Sequence, residues 1–118
     1  MTLRPEQYFE VFNHFLATGD PAQISGYADN VEVFGSASLG DGRVYFGRKA
    51  PEKFRHLISS VAGEAGSAKV RLRHAHIVND HASFFLDITK GGRKQSSVLS
   101  VSTRNGVLTE FHEAKVSL

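Results

Sequence analysis

KVRLRHAHIVNDHASFFLDITKGGRKQSSVLSVSTRNGVLTEFHEAKVSL, residues Lys69 to Leu118, is the stretch that decides the fold. It divides into four runs, KVRLRHAHIVN, ASFFLDITK, QSSVLSVSTR and VLTEFHEAKVSL, parted by Asn79-Asp80-His81, Gly91-Gly92 and Asn105-Gly106. Val, Ile, Leu, Phe, Ser and Thr in the runs suit a pleated, half-buried surface. Asn and Gly at the breaks accept the positive φ that tight hairpins need. The pattern predicts an antiparallel meander of four strands.

Upstream of it the chain reads as a cover for one sheet face. Pro5 fits the first turn of a helix, where its missing N–H costs nothing, and Tyr8, Val11, Phe12 and Phe15 follow at helical spacing, widened by Phe9 and Leu16. Gly19 ends that helix. Asp20-Pro21-Ala22-Gln23 has the form of an N-cap, a first-turn proline and a capping-box glutamine, which predicts a second, short helix running to Gly26-Tyr27. VEVFG and RVYFG, on either side of the loop Ser36 to Arg43, read as a small hairpin. Pro51 opens a third helix with Phe54, Leu57, Ile58 and Val61 on one face, and Ala62 to Ser67 form its exit. Segregated helices and antiparallel strands imply an α+β fold, a cone-shaped curved sheet covered on one face by three N-terminal helices with a pocket between the layers.

The chain has 118 residues, enough for one domain spanning 1–118 and not for two. Charged residues make up 22% and hydrophobic residues 41%, so neither a disordered nor a membrane class is indicated. No apolar run is long enough to span a bilayer, and MTLRPEQYFE lacks the apolar core of a signal peptide, so a cytoplasmic location is expected. The absence of cysteine excludes disulfides, thiolate metal sites and a cysteine nucleophile. The net charge is +2, and Arg71, Arg73, Arg93 and Lys94 are the only basic concentrations. With no recognition motif or stacked aromatics beside them, no nucleic-acid partner is expected.

Asp87 is the most informative polar residue, because it interrupts SFFLDIT inside a strand. Alternation puts Phe85 and Asp87 on one face and Phe84, Leu86 and Ile88 on the other. If the first face lines the pocket, Asp87 is a general acid or base; if it is the outer face, Asp87 pairs with Arg71, Arg73 or Lys94. His74 and His76 share a face with Val70, Leu72 and Val78 unless a bulge intervenes. Histidines two apart on a strand can share an ion, with Asp87 or His112 as a third ligand, or act as hydrogen-bonding wall residues. Glu110 and His112 share a face in TEFHE, but Leu108 and Phe111 argue for opposite answers as to which face is inward, and a one-residue bulge would reverse the parity. Neither a GxSxG elbow nor a glycine-rich phosphate loop occurs.

In order and spacing FNHFLATGD (12–20), YADNVEVFG (27–35), FGRKAPEKFRHLISSV (46–61) and NGVLTEFHE (105–113) resemble the nuclear transport factor 2-like superfamily, and within it the SnoaL-like polyketide cyclases and ketosteroid isomerases. The resemblance covers nearly the whole chain. It implies a cone-shaped α+β barrel, a deep apolar pocket free of metal and cofactor, and a homodimer formed through the outer sheet face. The ketosteroid isomerase catalytic set is not carried over: Phe12, the Phe34-Gly35 region and Ser100 stand at its approximate positions. The function expected is cofactor-free acid–base chemistry (isomerase, cyclase or dehydratase) on a hydrophobic carbonyl compound. Asp87, His76 and His112 are the candidate catalytic residues, and Tyr27, Phe12, Phe34, Phe54, His74 and Ser100 the candidate pocket lining. The alternative is a non-catalytic ligand-binding or dimerisation module of the same fold.

Overall fold

The computed structural model describes residues 3–62 and 66–116. Helix α1 (Pro5–Thr18) starts as expected, with a capping box in which the Gln7 side chain accepts from the Arg4 N–H at 2.8 Å. It closes on Gly19, whose φ of 74° lets its N–H bond to the Phe15 carbonyl at 2.8 Å. The second helix expected is reduced to a single 3-10 turn, Ile24–Tyr27. The Asp20 carboxylate does accept from the Ala22 N–H, but Gly26 follows within a turn and only Ile24 is buried, too little to hold a longer helix. Two α-helices and one turn therefore stand where three helices were expected. Strands β1 (Val33–Ser36) and β2 (Val44–Phe46) form the predicted hairpin. Helix α2 (Lys49–Val61) begins two residues before Pro51. Of its predicted exit, residues 63–65 lie outside the described residues.

The four long strands are β3 (Lys69–Val78), β4 (His81–Lys90), β5 (Arg93–Arg104) and β6 (Val107–Lys115). Two-residue turns join them, and Gly91 and Gly92 both take positive φ between Lys90 and Arg93. The hairpin and the meander are one sheet, ordered β2-β1-β6-β5-β4-β3, with β1 parallel to β6 and every other pair antiparallel. The sheet is curved and unclosed, with β2 and β3 as its edges, so the fold is α+β but not a barrel.

Helix α1 packs across β3, β4 and β5, and α2 packs on β1 and β2. Between helices and sheet the expected chamber is occupied by aromatic rings. Phe12 meets Phe111 at 5.1 Å, Phe54 meets Phe111 at 5.5 Å, and Phe34 meets Phe54 at 5.0 Å between centroids. Phe12 and Phe54 are almost wholly buried. Each such side chain contributes about 1.5–3 kcal/mol through removal from water, so filling this space helps hold the two layers together.

Two bulges set which side chains face the helices. Pairing in β3 is regular up to Leu72, opposite Leu86, and resumes one residue late at His74, opposite Phe85. Arg73 is the extra residue. Val70 and Leu72 thus share the inner face with Ile88 and Leu86, whereas His74, His76 and Val78 lie on the outer one. In β6 the shift falls at Thr109, so Leu108 before it and Phe111 after it both point inward. Glu110 and His112 are thereby turned outward and Glu113 inward.

Candidate functional site

The candidate catalytic residues do not meet in the interior. Asp87, His76 and His112 all lie on the outer face of the sheet. Asp87 is opposite Ser96 and Arg71, whereas His76, Ser83, Ser100 and His112 form a separate cross-strand row four residues along β4, about 13 Å away. His76 and His112 are three strands apart, about 14 Å. Asp87 is only 4% exposed because its neighbours' side chains lie over it. Ser96 Oγ donates to it at 2.7 Å, Lys94 Nζ is 3.6 Å away and Arg73 Nε 3.9 Å. The Ser96 hydroxyl above all, and then the Lys94 and Arg73 charges, hold its carboxyl below the usual range although its cover pushes the other way. This is the outer-face pairing with Arg73 and Lys94, in a polar hollow that Arg71 and Ser96 also line.

Among the expected lining residues, Phe12 and Phe54 belong to the packed core, and Phe34 also edges a cleft beside α2. Tyr27 stands edge-on to Tyr8 at 5.0 Å, and the Tyr8 hydroxyl donates to the Gly106 carbonyl at 3.0 Å. His74 packs against Phe85 at 5.7 Å on the outer face, which Ser100 shares.

The interior does hold a polar centre, and its residues come from elements that are distant in sequence. Glu113 of β6 is 1% exposed and lies opposite Ser36 of β1 in the parallel pair. Glu113 Oε1 accepts from Ser36 Oγ at 2.9 Å and from the Ser38 N–H at 2.8 Å, and Oε2 accepts from Ser38 Oγ at 2.5 Å. Ser38 Oγ in turn accepts from Gln95 Nε2 and lies 3.3 Å from Ser97 Oγ, which takes a second bond from Gln95 at 3.2 Å. The loop after β1 is folded onto this carboxylate, with the Ala37 N–H on the Glu113 carbonyl at 2.9 Å and the Gly40 N–H on the Ser36 carbonyl at 3.1 Å.

A cavity of about 280 Å³ opens directly on the network, under the C-terminal end of α1. Leu16, Leu39, Ala68 and Ile88 form its apolar wall, Ser38 and Gln95 its polar floor, and Lys90 and Arg93 its rim. Glu113 is one hydrogen bond behind the floor, through Ser38. The combination of a mostly apolar cavity, a few convergent polar groups and a carboxylate out of bulk water is the usual make-up of a small-molecule site. Glu113 was missed in the sequence because a glutamate in EFHEAK reads as a solvated strand end. The available signal was the pair of serines on SAS in the loop after a short strand, polar residues with no reason to be small unless they pack against something.

No family model matches this sequence, and no curated protein sequence matches it. Solved structures do. An NTF2-like protein from Anabaena variabilis superposes with a TM-score of 0.68 over 96% of this chain and 87% of its own, at 20% identity. The chain has the NTF2-like fold. A candidate SnoaL-like polyketide cyclase from Shewanella putrefaciens shares that NTF2-like fold at a TM-score of 0.69, 11% identity, 94% of this chain and 79% of its own. A candidate ketosteroid isomerase from Kribbella flavida matches at 0.66 and 10% identity, over 99% of this chain and 81% of its own. Others of this NTF2-like set, such as one from Cytophaga hutchinsonii, are of unknown function. Among the described residues, no helix is long and apolar enough to cross a membrane.

Proposed function

We propose that this is a small-molecule protein of the SnoaL-like kind whose working cavity is the one floored by Ser38 and Gln95, with Glu113 as its acid–base group. The observation that carries the reading is Glu113 itself, a carboxylate removed from water and joined by Ser38 to an apolar cavity. On a ketone seated there, a C–H proton leaves the α-carbon for Ser38 Oγ as the Ser38 proton passes to Glu113 Oε2. The C–H pair becomes the C=C of an enolate as the carbonyl π pair moves onto oxygen, which takes the Gln95 N–H that otherwise reaches Ser97 Oγ at 3.2 Å. Return of the proton to the same or a neighbouring carbon completes an isomerisation, or sets up a cyclisation or dehydration. The chemistry needs no cofactor.

The test is exchange of α-hydrogens in heavy water, followed by NMR for a panel of apolar ketones. The intact protein is expected to wash deuterium into a ketone that binds, and Glu113→Gln to slow that by at least about 100-fold. Compounds that bind to the Ser38–Gln95 cavity without any exchange would instead establish the second reading, a ligand-binding module.

The proposal extends to self-association. The helices cover one sheet face only, and the other carries Phe85, Val98 and Ala114 in one cross-strand row with Val116 beside it. Phe85 is 40% and Val116 36% exposed. Serines and histidines surround this apolar centre, as polar residues surround the core of a protein interface, and a second copy offers the same patch in return.

A further inference from the structure

A second cleft, of about 320 Å³, lies between α2 and the β1–β2 hairpin, across the Ser36–Gly42 loop from the cavity described above. Leu39 lines both and separates them. The floor of this cleft is apolar, with Phe34 and Leu57, while Arg43, Lys53, His56 and Tyr45 form its walls. Lys53 Nζ stands 5.0 Å above the Tyr45 ring. Asp41 is the one acid in the lining, and its oxygens are engaged: the Tyr45 hydroxyl donates to one and the Arg43 backbone N–H to the other at 2.9 Å. Among the described residues neither the Arg43 guanidinium nor the Lys53 ammonium is in an ion pair, whereas Arg4, Arg55, Arg73, Lys94 and Arg104 all have carboxylates.

We propose that this cleft is a binding site for a small aromatic carboxylate, distinct from the Ser38–Gln95 cavity. The ring lies on Phe34 and Leu57 beside Tyr45, and the carboxylate meets the Arg43 fork and Lys53. Three features select that ligand. Two cations against one already-bonded acid leave a positive excess above an apolar floor, which screens it less than water does. A guanidinium matches a carboxylate with two parallel N–H donors. Lys53 rests on a π face, a weak partner at an exposed site, so it exchanges that contact for an anion at small cost.

The experiment is an NMR titration of the whole chain with phenylacetate and, separately, with phenylacetamide, its neutral counterpart. Phenylacetate is expected to bind saturably, moving the signals of Arg43, Tyr45, Lys53 and His56, and more weakly as salt is raised. Lys53→Gln and Arg43→Gln are each expected to weaken it about tenfold, and Asp41→Asn to strengthen it. These side chains are on the surface, so the variants fold. Inorganic phosphate alone, lacking a ring, is expected to bind much less well. Equal binding of phenylacetamide, absence of saturation, movement only of signals around Leu16 and Gln95, or an Arg43→Gln/Lys53→Gln double variant that binds like the parent would each overturn the proposal.

Discussion

Glu113 is bound by hydroxyl and amide donors from the end of β1 and the loop that follows, so it serves that segment's structure as well as any chemistry. Glu113→Ala leaves the Ser36 and Ser38 hydroxyls and the Ser38 N–H without their acceptor inside the protein. It is expected to destabilise the fold by about 1–3 kcal/mol in urea unfolding, while Glu113→Gln, which keeps one oxygen in place, costs less. Retained stability with lost exchange in Glu113→Gln would separate catalysis from scaffolding. Asp87 makes the opposite case, a carboxylate whose role is on the surface of the sheet. Its folded pKa is depressed, so the stability it contributes is present above the unfolded value and is lost as pH falls through the folded one. The difference in stability between the parent and Asp87→Asn is expected to be constant from neutral pH down to about 5 and to shrink below about 4, near the unfolded carboxyl value. A difference that instead grew on acidification would contradict that assignment. Alternation in SFFLDIT put Asp87 beside Phe85 correctly; what the residues alone left open was which side of the sheet that face would be.

At the scale of the element, β1 is the piece that brings the site together. It lies between β2 and β6, and at Gly35 its neighbours leave no room for a side chain. A Cβ there would be 2.9 Å from the Arg43 carbonyl oxygen and 3.0 Å from His112 Cδ2. Gly35→Ala must therefore push β2 or the His112 ring aside. A cost of about 1–3 kcal/mol is expected, with loss of ligand binding in both clefts if the hairpin moves. An unchanged melting temperature would show the neighbours to be more accommodating than the packing implies. The long strands, their turns and α1 were legible, because periodicity and Asn-Gly or Gly-Gly breaks are local signals. The bulges at Arg73 and Thr109 were not. Nothing in RLRHAH marks Arg73 as the unpaired residue, yet that one residue puts Leu72 on the face of the sheet towards the helices and His74 and His76 on the other. Thr109 does the same between Leu108 and Glu110. The Asp20 signal for a second helix was also local and was outweighed by Gly26 and a lack of apolar residues to bury.

For the whole molecule, the space expected to be a deep chamber holds Phe12, Phe34, Phe54 and Phe111; of the two clefts described above, one is edged by Phe34 and the other lies by Leu16 of α1. Phe54→Ala is expected to cost about 3–5 kcal/mol and to open an apolar void that takes up benzene or xenon, measurable by calorimetry and by a shift in melting temperature. On the outer face, Phe85→Asp places a charge at the centre of the patch. Sedimentation is expected to show a dimer for the parent and a monomer for the variant; a parent that sediments as a monomer at every concentration would remove the self-association reading. The sheet's unclosed form and the parallel β1–β6 pair could not be read from the residues, since both depend on partners more than seventy positions apart. That separation governs the order in which the molecule can be made. A ribosome releases β1 and its loop long before β6, and until β6 arrives the Ser36 and Ser38 hydroxyls have no carboxylate to grip. Neighbouring strands of the meander can zip as they emerge, so the polar centre is the last region to mature, and a nascent chain halted before Glu113 would carry the walls and floor of the cavity without the carboxylate behind them.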